Sequence, residues 1–417
     1  MWDRRLFLKT TGLALFSFGA GPEFLHRAAA AATTGSKKRV LVTIFQRGAM
    51  DALAALPPVG GGEFARLRPR LAMSAARSAG DGALLDLGVG FALHPALAPL
   101  APLFRSGELA AVHAVGSPDP TRSHFDAQDY METGTPGRKG VTSGWLNRVC
   151  GELGHDASPF RAVSLTSSLP RSLHGASPAV AIARLEDFAV TSPGTERTRR
   201  AAGRGFEALY AQASAELLQE TGRETFDAVD RLSGAALNRY RPAAGVSYPR
   251  SPLGDALRQI AQLVKADVGL EVAFAESGGW DTHVAQGTAQ GSFARRADDL
   301  ARSIAAFWTD LGAERERVLV LTMTEFGRTA RENGSGGTDH GHGSALFLLG
   351  DEVAGGRVHG RFPGLRDEDL YEGRDLPVTT DFRSVFAEVA ARHLGVGDPD
   401  RLFPGWRGER VSLFRGA

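Results

Sequence analysis

The chemistry-bearing residues of this chain collect in a few short, glycine-rich stretches. The most informative is Asp339-His340-Gly341-His342-Gly343, where two imidazoles stand one residue apart in a loop flexible enough to turn both toward one ion. A second stretch, Gly279-Trp280-Asp281-Thr282-His283, pairs a carboxylate with an imidazole at the same short spacing. Asp51 ends the stretch Gln46-Arg47-Gly48-Ala49-Met50-Asp51, and Glu325 lies in Thr324-Glu325-Phe326-Gly327-Arg328. Asp, Glu and His are the ligands of hard and borderline divalent cations. Asp51, Asp281, His283, His340 and His342 are therefore candidate ligands. These ligands admit Zn, Mn, Mg or Ca, as one ion or two.

A fifth stretch, Asp119-Pro120-Thr121-Arg122-Ser123-His124-Phe125-Asp126, carries a candidate nucleophile. Ser123 opens an expected helix, Phe125–Glu132, where free amides and the helix dipole favour an anion. Serine needs a base or a metal to become reactive. A helical His124 points away from it, which leaves a metal as the expected activator. The alternative role for Ser123 is simply to cap the helix. Arg122 and Arg328, next to these groups, could offer guanidinium forks to an anion. His94, His113, His155, His174, His359 and His393 have no ligand-like neighbour and are assigned to core or surface roles.

These stretches lie at the ends of short apolar runs with the character of strands buried on both faces. The runs are Arg39–Phe45, Leu109–Val115, Ala162–Thr166, Leu270–Ala275, Val318–Thr322 and Ala345–Leu349, and they read as a parallel sheet. Helical patterns fall between them at Pro95–Phe104, Phe293–Leu311 and Phe382–Leu394. Alternation of this kind predicts a doubly wound α/β fold, whose ligands bind beyond the carboxyl ends of the strands. The segment from about 190 to 266 is rich in Arg, Glu and Ala without a strand pattern, and is expected to be a helical insertion.

The chain begins Met1-Trp2-Asp3-Arg4-Arg5-Leu6-Phe7-Leu8-Lys9. Paired arginines before Phe-Leu-Lys, a modest apolar stretch and an alanine run up to Ala32 form a twin-arginine signal, expected to be removed. The translocase of that route is then a partner, and the destination is periplasmic or secreted. The apolar stretch is too short for a stable membrane span. The remaining 38–417 is expected to be one domain. The full sequence has 48 basic and 47 acidic residues and a net charge of +1, which gives no global field for nucleic acid. The single cysteine, Cys150, excludes an intramolecular disulfide and a thiolate cluster. It falls in a helical pattern and reads as a buried thiol.

Together, Gly48-Ala49-Met50-Asp51, Ser123-His124-Phe125 through Gly134, Gly279 to His283, Thr324 to Arg328, Asp339 to Gly343 and Asp381-Phe382-Arg383 resemble the DUF1501 family of exported bacterial proteins. That family is similar to the alkaline phosphatase and sulfatase superfamily. The resemblance implies an alkaline-phosphatase-like fold: a mostly parallel sheet with helices on both faces and a helical insertion. It implies a metal-dependent hydrolase of phosphate or sulfate esters, acting on a small-molecule or glycan substrate. Asp51 matches the first metal-binding Asp of that superfamily, and Ser123, before Thr133-Gly134, its nucleophile. Asp281 and His283 resemble one metal pair, at a shorter spacing than usual. Glu325 takes the place of an Asp ligand, while Phe326 stands where a His ligand belongs. One site is thus a ligand short, unless His340 and His342 together make up the deficit. The alternative implied by that gap is a non-catalytic envelope binding or assembly protein on a degenerate fold.

Overall fold

Val40-Leu41-Val42-Thr43-Ile44-Phe45 has no polar face, so it is stable only where both sides are covered. In the computed structural model, which describes residues 37–60, 62–76, 82–155, 158, 160–185 and 240–416, it forms the central strand β1 (Val40–Arg47). Val40, Val42 and Ile44 face one apolar layer, and Leu41 and Phe45 face the other. Short helices follow at α1 (Ala52–Ala55), α2 (Glu63–Leu67) and α3 (Ala101–Arg105), and then strand β2 (Leu109–Gly116). Next come α4 (His124–Thr133), α5 (Trp145–Glu152), β3 (Ala162–Ser164) and β4 (Val180–Ala181). Beyond the undescribed segment lie α6 (Pro252–Lys265), β5 (Val272–Gly278), α7 (Ser292–Leu311) and β6 (Val318–Met323). Then come β7 (Ser344–Leu349), β8 (Val358–His359), β9 (Thr380–Asp381) and α8 (Phe382–Leu394), followed by a short helix at Pro399–Leu402.

The nine strands form one sheet in the order β8-β2-β7-β6-β1-β5-β3-β4, with β9 also paired to β2. Every pairing is parallel except those of β7, which runs against both β6 and β2. The expected parallel sheet is therefore mixed, with Ser344–Leu349 reversed. The reversal has a consequence for the site. The loop before β7 emerges at the same edge as the loops after β1, β2, β5 and β6.

Helices cover both faces, as the resemblance implies. On one, α7 buries Phe293, Ala297, Leu300, Ile304, Phe307, Trp308 and Leu311, the 3.6-residue stripe seen in the sequence. It packs against α6 and against the segment from Pro95. That segment was expected as one helix to Phe104. It is a 3-10 turn over Pro95–Leu100 that continues into α3, because Pro99 and Pro102 have no N–H to donate. On the other face, α8 buries Phe382, Val385, Phe386 and Val389. Asp381 caps its start by accepting from the Arg383 amide at 2.9 Å, and Gly395 ends it with φ 75°. Cys150 is buried in α5, where desolvation pushes its thiol up to about 12. No helix among the described residues is long and apolar enough to cross a membrane. Residues 1–32 and 190–239, the expected signal and most of the expected insertion, lie outside the described residues. The end of the insertion, Pro252–Lys265, is α6.

Candidate metal centre

Three of the loops at the carboxyl edge bring imidazoles and a carboxylate together. His124 enters at the first turn of α4, Asp281 and His283 follow β5, and His340 precedes β7. Ligand atoms of His124, Asp281 and His340 all lie within 4.8 Å of one another. His283 Nε2 stands 2.9 Å from His340 Nε2 and 3.1 Å from Asp281 Oδ1. His340 Nε2 is 3.3 Å from Asp281 Oδ1, and His124 Nε2 is 3.5 Å from Asp281 Oδ2.

The outward side of each ring decides what its inward side can offer. His124 Nδ1 lies 2.8 Å from Glu325 Oε1, His283 Nδ1 2.9 Å from Asp339 Oδ1, and His340 Nδ1 2.8 Å from the Arg122 carbonyl. All three partners are acceptors, so each Nδ1 carries the proton and donates it. In the neutral rings each Nε2 is then a bare lone pair. With the rings neutral, three such lone pairs and the Asp281 carboxylate face one another, and the buried His124 Nε2 has no hydrogen-bond partner. Acceptors at this separation repel unless a cation lies between them. Ring nitrogens held from behind by carboxylate or carbonyl are the usual support of metal-bound imidazole. The donor set therefore fits a divalent ion, and its nitrogen content suits Zn or Mn better than Mg or Ca.

The surroundings fix this geometry. Glu325 is fully buried; burial pushes its carboxyl up, but His124, Gln128 and the Gly48 amide hold it below the usual range. Asp281 is opposed by desolvation as well, yet the Arg328 guanidinium at 2.6 Å keeps it ionised. The hydrogen bond to Glu325 raises the His124 imidazole, whereas desolvation lowers His340. Phe326 stacks on the His124 ring with centroids 4.9 Å apart and also touches His340. Gly341 lets the loop lie on the Arg328 backbone, where an added Cβ would come within 2.3 Å of the Arg328 carbonyl carbon. Gly48, at φ +115°, likewise leaves no room for a Cβ beside the Asp281 amide.

Of the six ligands expected from sequence, the structure brings together Asp281, His283 and His340. Glu325 stands behind His124 rather than in the cluster. Asp51 is the N-cap of α1 and is buried beneath Arg68. Its Oδ1 accepts from the Ala54 amide and Arg68, its Oδ2 from Arg68 and Gln286, so all four lone-pair positions are filled within the protein. Burial would raise this carboxyl, and Arg68 with Gln286 lowers it. His342 turns to the Ser117 carbonyl at 2.9 Å and packs on Tyr371. Ser123 caps α4, its Oγ accepting from the Asp126 amide at 3.5 Å. The Arg122 fork is spent on Asp375 and Glu372, and that of Arg328 on Asp281 and Thr338.

Sequence reasoning missed His124. The expectation that it turns away from Ser123 rested on helix geometry alone. The i, i+4, i+8 series His124, Gln128, Glu132 was the available signal: three polar side chains on one face of a helix that follows a buried strand.

No curated protein matches the chain at a significant level. Among solved structures, the zinc complex of the periplasmic domain of EcEptC from Escherichia coli is 10% identical, over 76% of this chain and 73% of that one, with a TM-score of 0.32. PsFucS1 sulfatase from Pseudoalteromonas sp. is 13% identical over 87% and 74%, also with a TM-score of 0.32. The PH0037 protein from Pyrococcus horikoshii is 11% identical over 76% and 88%, with a TM-score of 0.27. Residues 106–404 match the family described as "Protein of unknown function (DUF1501)", a span that holds β2 through α8 and every member of the histidine cluster, and the chain belongs to that family.

Proposed function

We propose that the protein is an exported, metal-dependent hydrolase of phosphate or sulfate esters. The observation that carries this reading is the cluster of three imidazoles around the Asp281 carboxylate, each ring backed at Nδ1 by an acceptor. A single ion would be held by His124, Asp281 and His340, with His283 as fourth donor. When bound, a divalent ion lowers the pKa of a nucleophile's oxygen and neutralises charge on the ester. The chain's own residues do the rest. Glu325, Asp339 and the Arg122 carbonyl orient the three rings. Arg328 fixes Asp281. Ser123, one residue from His124 at the start of α4, is the nucleophile: its oxygen bonds to phosphorus or sulfur, the alcohol departs, and water then cleaves the seryl ester. Its hydroxyl is loosely held by one long hydrogen bond, which leaves it free to turn.

A second reading, a non-catalytic envelope binding or assembly protein, is favoured by one observation. The Arg122 and Arg328 forks and all of Asp51 are already engaged within the protein, so none of the three is open to a ligand.

The test is metal content and turnover together. Protein purified without chelator or affinity metal is expected to hold one equivalent of Zn or Mn, lost in His124→Ala and in His340→Ala. It is expected to cleave 4-nitrophenyl phosphate or sulfate at least 100-fold faster than Ser123→Ala. Equal turnover in Ser123→Ala would remove the serine from the mechanism. Absence of metal, with no thermal stabilisation on adding Zn or Mn, would leave the binding reading in its place.

A further inference from the structure

A cleft of about 1140 Å³ opens on the same edge of the sheet as the histidine cluster, over β1, β5, β3 and β4. Helix α4 joins the two. His124 stands at its first turn in the cluster, and Gln128 and Glu132, one and two turns on, form the cleft wall. Their side chains are bonded in series. Gln128 donates to Glu325, the partner of His124, and accepts from Arg47 at 2.9 Å. Arg47 in turn reaches Glu132 and Glu276. Four residues of α-helix span about 6 Å, so the cleft begins within one sugar ring of His124.

The lining is unlike that of a site for an apolar ligand. Five arginines (Arg47, Arg171, Arg184, Arg241 and Arg258) face three carboxylates (Glu132, Asp255 and Glu276). Arg47 is neutralised by Glu132 and Glu276, and Arg171 is paired with Asp129. On the opposite wall, Arg258 stands 3.9 Å from Asp255, at the limit of an ion pair, and Arg241 donates one N–H to the Tyr240 carbonyl. Thr166, Ser167 and Ser168, in the loop after β3, add a run of hydroxyls. The volume exceeds what a simple aryl ester would fill, since small-ligand sites run to roughly 1000 Å³ at most.

We infer that this cleft binds the non-reacting part of the substrate, and that this part is an anionic carbohydrate. Sulfate or phosphate groups on the sugar meet the Arg241 and Arg258 forks, and its hydroxyls meet Thr166 to Ser168. Glu132 and Gln128 lie along the path from these groups to His124. The inference deepens the ester hydrolase reading and rests on it for the direction in which substrate runs.

The test is equilibrium binding by calorimetry at low salt, with three tetrasaccharides of one backbone: sulfated, phosphorylated and neutral. The full mature chain is expected to bind one or both anionic forms at least 10-fold more tightly than the neutral one. Arg241→Ala/Arg258→Ala should lose that preference while keeping its thermal midpoint and metal content, because both side chains line the cleft and neither is buried. Arg258→Lys should restore part of it. Equal affinity for all three sugars, or a double variant that binds as the parent does, overturns the proposal. His340→Ala separates the two readings. If it binds the anionic sugar undiminished, the subsite stands even where the hydrolase reading fails for want of turnover.

Discussion

Two residues show how a site can be complete in space and incomplete in sequence. Phe326 stands where the resemblance places a metal-binding imidazole, and no reading of its own side chain supplies one. In the fold its ring is the platform on which His124 lies. The imidazole arrives from the start of α4, some two hundred residues earlier in the chain, and a spacing argument cannot find it. Asp51 shows the reverse. It has the position of a ligand, yet Arg68, an arginine with nothing unusual in its local sequence, reaches back to fill it. Both side chains are almost fully buried, and removing one partner strands the other charge. Arg68→Met is therefore expected to cost about 3–5 kcal/mol in urea unfolding while leaving metal stoichiometry unchanged. Loss of the metal in that variant, with its fold intact, would return Asp51 to the ligand set. What the sequence did disclose at this scale was residue type in glycine-rich context. Asp281, His283 and His340 were found that way.

At the scale of elements, the strands and long helices were legible because each repeats its apolar residues at the period of its own geometry. Val318–Thr322 and Phe382–Leu394 are observed within a residue of expectation. The direction of β7 was not legible, since an apolar run reads the same both ways. That direction matters, because it brings the His340 loop to the site. The loop's path depends on Gly341, where a Cβ would collide with main chain rather than with a side chain that could move. Gly341→Ala should accordingly weaken metal binding at least 10-fold by displacing His340, measured by competition with a chromogenic chelator. Affinity equal to the parent's would show that the loop can shift without cost.

Two buried histidines, assigned from sequence to core or surface roles, hold elements together. His113 in β2 bonds the Leu56 carbonyl at the end of α1, and His393 in α8 bonds the Val40 carbonyl at the start of β1. Desolvation pushes each down from 6.5 to about 4. Each folded value lies below the unfolded one, so between these limits the unfolded chain takes up a proton that the native chain refuses. The contribution is complete above about pH 6.5, shrinks as the pH falls toward 4, and changes no further below that. It amounts to roughly 3 kcal/mol for each ring. Urea midpoints at pH 7.5 and pH 5 should show a marked fall for the parent and a smaller one for His113→Gln. Identical slopes would mean that carboxylates alone set the acid limit.

Across the whole molecule, the histidine cluster and the cleft share one edge because eight of the nine described strands of the large sheet end there and the ninth begins there. Position on that edge followed from the alternation of strands and helices, and so was open to sequence reasoning. The cleft was not, since its walls come from residues as distant as Arg47, Arg171 and Arg258, none of which belongs to a motif.

The central place of β1 also governs when the protein can acquire its shape. Both neighbours of β1 lie far downstream: Val272–Gly278 on one side and Val318–Met323 on the other. As the chain leaves the ribosome, this apolar strand has no mate until those segments emerge. At ordinary elongation rates that is a wait on the order of ten to fifty seconds. Parallel pairing across such separations is slow in any case, since the loop must close before the ladder forms. Nascent β1 is thus an exposed adhesive edge for much of synthesis. A chaperone that shields residues 40–47 should raise the yield of native protein more than one that acts on the finished chain.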